Sequence, residues 1–93
     1  MHRQETAETM ALRALSWLAG NEELLPVFLG STGASLGDLA TGARDPAFLG
    51  AVLDFILMDD VWVVACCETI AVPFDSLIQA RAALPGGAEM HWT

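Results

Sequence analysis

Residues that start and stop helices recur along this chain at intervals too short for any long element. Asn21, Ser35, Asp45, Asp59 and Pro73 each stand close before an apolar run. The first four can cap free backbone N–H groups with a side-chain oxygen, and proline is favoured at a first turn because it has no N–H to satisfy. Gly20, the turn Gly30-Ser31-Thr32-Gly33 and Pro85-Gly86-Gly87 supply stops. Between these marks the apolar residues fall at spacings of three and four, the period of a helix with one buried face.

The pattern predicts a first helix from about Glu5 to Ala19, with Met10, Ala11, Ala14, Trp17 and Leu18 on one stripe. A second begins at Glu22 or nearer Leu25, depending on where Pro26 is accommodated, and turns Leu25, Phe28 and Leu29 inward. A short third helix, Leu36 to Ala43, follows a capping-box-like pair of Ser35 and Asp38. Asp45-Pro46 opens a fourth that reaches about Met58. The fifth, Val61 to Ala71, is apolar nearly all round, which predicts a helix buried on several sides and central to the fold. Its β-branched residues make a strand the competing assignment; length and flanking caps favour helix. Val72-Pro73 opens a last helix through Leu84, and a short tail follows from about residue 85.

The punctuation also repeats. A shift of 38 positions lays Asn21 on Asp59, Leu15 on Leu53, Leu39 on Leu77 and Gly33 on Ala71, although few letters are identical. A duplicated helical unit has this signature. The expected fold is therefore all-α: a single domain, a compact bundle of five to six short helices, with two stacked three-helix units allowed by the duplication.

Charge narrows the function classes. Twelve acidic residues face four arginines and no lysine, a net charge of −8. Clustered Lys and Arg are what bind phosphate backbones, so direct nucleic-acid binding is disfavoured, and anionic membrane surfaces likewise. The longest apolar run, Val61 to Cys67, spans seven residues where a bilayer crossing needs about 20. The N-terminus lacks an export signal's unbroken apolar stretch, and the expectation is a cytoplasmic protein. The chain is 54% hydrophobic. A surplus of apolar side chains on a small protein is commonly covered by a protein partner or by self-association.

Residues that could carry chemistry are few. Cys66 and Cys67 are adjacent on a predicted helix and point about 100° apart. Two small buried hydrophobes is the plain reading; a thiol-based redox or metal-responsive role is the alternative, and it needs an exposed thiol of low pKa. His2 and His91 sit near opposite ends without a carboxylate at triad or zinc spacing. The acidic pairs Glu22-Glu23 and Asp59-Asp60 fall at helix starts, where the macrodipole favours negative charge. Asp54 interrupts the apolar fourth helix, and Arg81 stands among alanines in the last. A salt bridge across the bundle, or two separately solvated residues, is one reading of Asp54 and Arg81, and a partner-binding hot spot centred on Arg81 is the sharper one. The terminal Trp92 is expected to pack back on the bundle, with a frayed tail or a partner contact as the alternatives. No catalytic, metal or cofactor residue is assigned, and the expectation is not an enzyme.

Phe28-Leu29 with Thr32-Gly33, Asp45-Pro46-Ala47-Phe48-Leu49, Val52-Leu53-Asp54-Phe55, Asp59-Asp60, Ala80-Arg81, Leu84-Pro85-Gly86-Gly87 and His91-Trp92-Thr93 form an ordered set. Together they resemble a family of short alphaproteobacterial proteins of unknown function, over nearly the whole chain from about Glu8. The resemblance implies a bacterial, cytoplasmic, stand-alone protein and brings no activity, cofactor or catalytic residue with it. From the residues themselves the expected function is a non-enzymatic, small acidic interaction module, adaptor or regulator, with homodimerisation open.

Overall fold

The computed structural model describes residues 3–85. It contains six helices: α1 (Arg3–Ala19), α2 (Leu24–Thr32), α3 (Leu36–Gly42), α4 (Pro46–Ile56), α5 (Asp60–Ile70) and α6 (Ser76–Ala83). The expected side-chain caps at Asn21, Asp45 and Asp59 are in place. Asn21 Oδ1 accepts from the N–H groups of Glu23 and Leu24, both at 3.0 Å. The Asp38 carboxylate accepts from the Ser35 N–H at 2.9 Å and closes a capping box at α3. Asp45 accepts from Ala47 N at 3.0 Å, with Pro46 opening α4, and Asp59 accepts from Val61 N at 2.9 Å. Pro26 lies in the first turn of α2, where a missing N–H costs no intrahelical bond.

Boundaries differ from expectation in places: α2 runs on through Gly30, Ser31 and Thr32, where the sequence pattern predicts a turn, and ends only at the left-handed Gly33. Helix α4 stops at Ile56, short of Met58. The last helix opens at Ser76, after the Val72-Pro73 signal, because Val72 N–H closes back on the Cys67 carbonyl and Ser76 N–H on that of Pro73. Those bonds spend residues 71–75 on a turn. The expected C-terminal tail, with Trp92 and His91, lies outside the described residues, as does His2.

The repeat at 38 positions survives as matched punctuation. Gly33 ends α2 and Ala71 ends α5 in the same left-handed conformation, with φ of 77° and 61°. Their N–H groups bond the Leu29 and Cys67 carbonyls, again 38 apart. Ala71 is the one described non-glycine residue with positive φ. Alanine pays about 1–2 kcal/mol there through its Cβ. Ala71→Gly is therefore expected to raise stability by about 0.5–1 kcal/mol after glycine's greater entropy loss, read as an upward shift of the denaturation midpoint.

Packing departs from the expected arrangement in one large respect: α1, not α5, is central. Ala7, Ala11, Ala14, Leu15 and Leu18 form its buried stripe, and it packs on α6, α4 and α5. Three alanines in that stripe let neighbouring helices approach closely on more than one side. Helix α4 is the second pillar, burying Leu49, Gly50, Val52, Leu53, Phe55 and Ile56. Helix α5 buries only Cys66 and Cys67 completely and sits at the periphery. Since α1 and α4 both pack on α6, the two halves share one core instead of stacking as separate three-helix units. Aromatic contacts tie α2 into this core. The Phe28 ring meets Phe48 and Phe55 edge to face, with centroids 5.9 and 5.3 Å apart, and Phe55 stacks on Trp62 at 4.9 Å. Helix α3 rests on α4, where the ring of Phe48 lies 2.3 Å from the place a Cβ on Gly42 would occupy.

Candidate functional site

The fourth and sixth helices bring Asp54 and Arg81 together, 27 residues apart in sequence. Arg81 Nε donates to Asp54 Oδ1 at 2.7 Å, and Arg81 Nη1 donates to the Pro85 carbonyl at 3.2 Å. Gly50 makes room for this: a Cβ there would stand 3.0 Å from Arg81 Nη1 and 3.1 Å from its Cζ. The Arg81 side chain is 14% exposed and that of Asp54 39%. The guanidinium thus lies along α4 and ties the end of α6 to the bundle, the geometry of a charge-assisted clamp.

Cys66 and Cys67 are free thiols with no accessible surface. Burial pushes the Cys66 thiol up to about 12 from its ordinary 9.0, with the neighbouring Cys67 adding to the rise. Burial raises Cys67 too, helped by the negative charge of Asp75. A nucleophilic or metal-binding thiol must be deprotonated and reachable, and neither is either. Both are expected to resist an aromatic disulfide reagent at pH 8 and to react at once in denaturant. Folding also keeps the Cys66 proton on where the unfolded chain has lost it. Its contribution to stability is whole below about pH 9 and is lost as pH rises toward 12, so the denaturation midpoint should fall across that window.

The acidic pairs act as helix-start residues. Asp59 caps α5 and Asp60 lies in its first turn, while Glu22 and Glu23 occupy the turn that Asn21 caps. Among the described residues, no three His, Cys, Asp or Glu side chains converge as a metal site would require. No described helix is long and apolar enough to cross a membrane. An open groove of about 500 Å³ runs between α1 and α6, lined by Arg3, Thr6, Met10, Gln79 and Ala83 among others, and gathers no titratable cluster.

The feature that stands out is the outer face of α5. Turning 100° per residue places Cys66, Cys67, Val63 and Ile70 toward the bundle and Val61, Val64, Ala65 and Glu68 on the opposite side. Val61 is 71% exposed, Val64 is exposed as well, and Met58 just ahead of the helix is 76% exposed. Asp60, Val61, Val64, Ala65 and Glu68 line a shallow depression of about 380 Å³. The signal in the sequence was the all-round apolarity of Val61 to Ala71. It points to a central helix when read by itself, and to an uncovered face once α1 is seen to hold the centre.

No curated protein and no solved structure matches the chain significantly. The ordered motifs from α1 to the end of α6 do match a family model, that of the proteins of unknown function DUF3572, over residues 4–87. Spanning that much of the sequence, the match places this chain in that family.

Proposed function

We propose that this protein is a non-enzymatic interaction module, a small acidic cytoplasmic adaptor or regulator that works by binding another protein. The observation that carries the reading is the outer face of α5. An apolar helix with solvent on one whole side leaves exposed area that water penalises by roughly 25 cal/mol per Å², and contiguous patches of this kind are usually interaction surfaces. The net charge of −8 steers basic protein surfaces in and keeps nucleic acid out. Arg81 and Asp54, two of the candidate hot-spot residues, pair with each other between α6 and α4, which fixes the surface they present. The thiol-based alternative is set aside, because both cysteines are buried and hold their protons.

The test is capture from the native host on N-terminally tagged protein after cross-linking, read by mass spectrometry, alongside sedimentation of the purified chain. A reproducible protein partner, or a defined homo-oligomer, is the expected result. Recovery of the bait alone together with a strictly monomeric chain defeats the reading.

A further inference from the structure

We infer that the outer face of α5 is a docking strip for a basic amphipathic helix of another protein. The inference rests on the interaction-module reading and adds the surface and the chemistry of its partner. Val61, Val64 and Ala65 supply the apolar part, at the spacings of three and four that a helix turns to one side, with exposed Met58 ahead of the helix. Ala65, a single methyl between larger neighbours, leaves the depression into which an apolar side chain of the partner fits. Acidic groups stand at both ends of the strip. Asp60 lies in the first turn and Glu68 two turns on, both exposed. Arg13 reaches α5, but its guanidinium donates to the Ile70 carbonyl at the helix end.

Size and charge select the occupant. Eleven residues of helix make a strip about 16 Å long and about 10 Å wide, far short of the roughly 800 Å² each copy contributes to a stable dimer. It fits the helix-in-groove mode, in which one helix lays an apolar stripe on another surface. A second copy of this chain is disfavoured for a further reason. Antiparallel pairing of two α5 helices sets Asp60 against Glu68, and parallel pairing sets each acid against itself. A partner helix with two cations flanking leucine-type residues meets the opposite case. Asp60 and Glu68 are eight residues apart, about 12 Å along the axis, so the cations it presents are seven or eight residues apart.

The experiment uses the full chain, isotope-labelled for NMR, and two synthetic helical peptides sharing an apolar face. One carries lysines at positions i and i+7, the other glutamates. The lysine peptide is expected to bind, with amide shifts centred on residues 58–68, and the glutamate peptide to bind at least about ten-fold more weakly. Val61→Glu and Val64→Glu, both at exposed positions, should each weaken the lysine peptide about ten-fold while the thermal midpoint holds. Glu68→Lys should shrink the preference for lysine over glutamate, and Ile78→Glu on α6 should change nothing. Equal binding of the two peptides, or shifts centred elsewhere, overturns the docking strip while leaving the module reading intact. So does a partner captured from the host equally by wild type and Val61→Glu. A homodimer dispersed by Val61→Glu replaces the basic helix with a second copy and overturns the inference in another way. If no peptide binds, the chain is monomeric and capture recovers only bait, both readings fall together.

Discussion

Replacing Phe28 with alanine is expected to lower the unfolding free energy by about 3–5 kcal/mol, enough to leave a small domain of ordinary stability barely folded. Phe28 is the one residue of α2 that is fully buried. Its ring meets Phe48 and Phe55 edge to face, contacts worth about 0.5–1.5 kcal/mol each beyond the area they bury. Without the ring, α2 keeps only half-buried Leu24, Leu25 and Leu29 as apolar anchors. Urea denaturation followed by tryptophan fluorescence measures the loss directly, since Trp62 stacks on Phe55. A change under about 1 kcal/mol would mean that α2 does not depend on this contact. Phe28→Leu should recover part of the difference, because it retains apolar volume though not the edge-to-face geometry.

Leu18→Ala on α1 should cost about 2.7–5 kcal/mol, and Val61→Ala on α5 less than about 0.5 kcal/mol. Both substitutions remove apolar groups, one from the alanine-rich α1 and one from the more apolar α5, so the contrast tests which helix is central. Leu18 has no accessible surface; Val61 is largely in solvent. Removing Leu18 opens a cavity beneath a helix that touches α2, α4, α5 and α6, which gives little freedom for collapse. Equal losses at the two sites would put α5 at the centre and remove the argument for its exposed face. A small loss at Val61 together with weakened partner binding is the signature of a residue kept for association and not for folding.

Much of the secondary structure was legible because it is written in local chemistry. Asn21, Ser35, Asp45 and Asp59 begin helices through bonds reaching no further than three residues, and Gly33 and Ala71 end them through bonds to the previous turn. These interactions are the same in any tertiary context. The burial of Cys66 and Cys67 was legible too, because small apolar side chains within a run of valines have little other use. The order of burial among helices was not. Val61 to Ala71 holds the longest unbroken apolar run, yet its outer residues face solvent, while the alanine-lined α1 takes the centre. Apolarity records a side chain's cost in water; a central helix also needs small residues on its contact faces, so that neighbours can approach from several sides at once.

The sequence by itself determined the all-α class of fold and where most of its helices begin, since capping and periodicity are properties of neighbouring residues. Only the tertiary structure decided that Arg81 reaches Asp54 across Gly50, that Phe28 sits between Phe48 and Phe55, and that the apolar side of α5 is left uncovered. Each of these depends on which helix faces which. That choice is made by shape and close packing across the whole core, and no local run of residues encodes it.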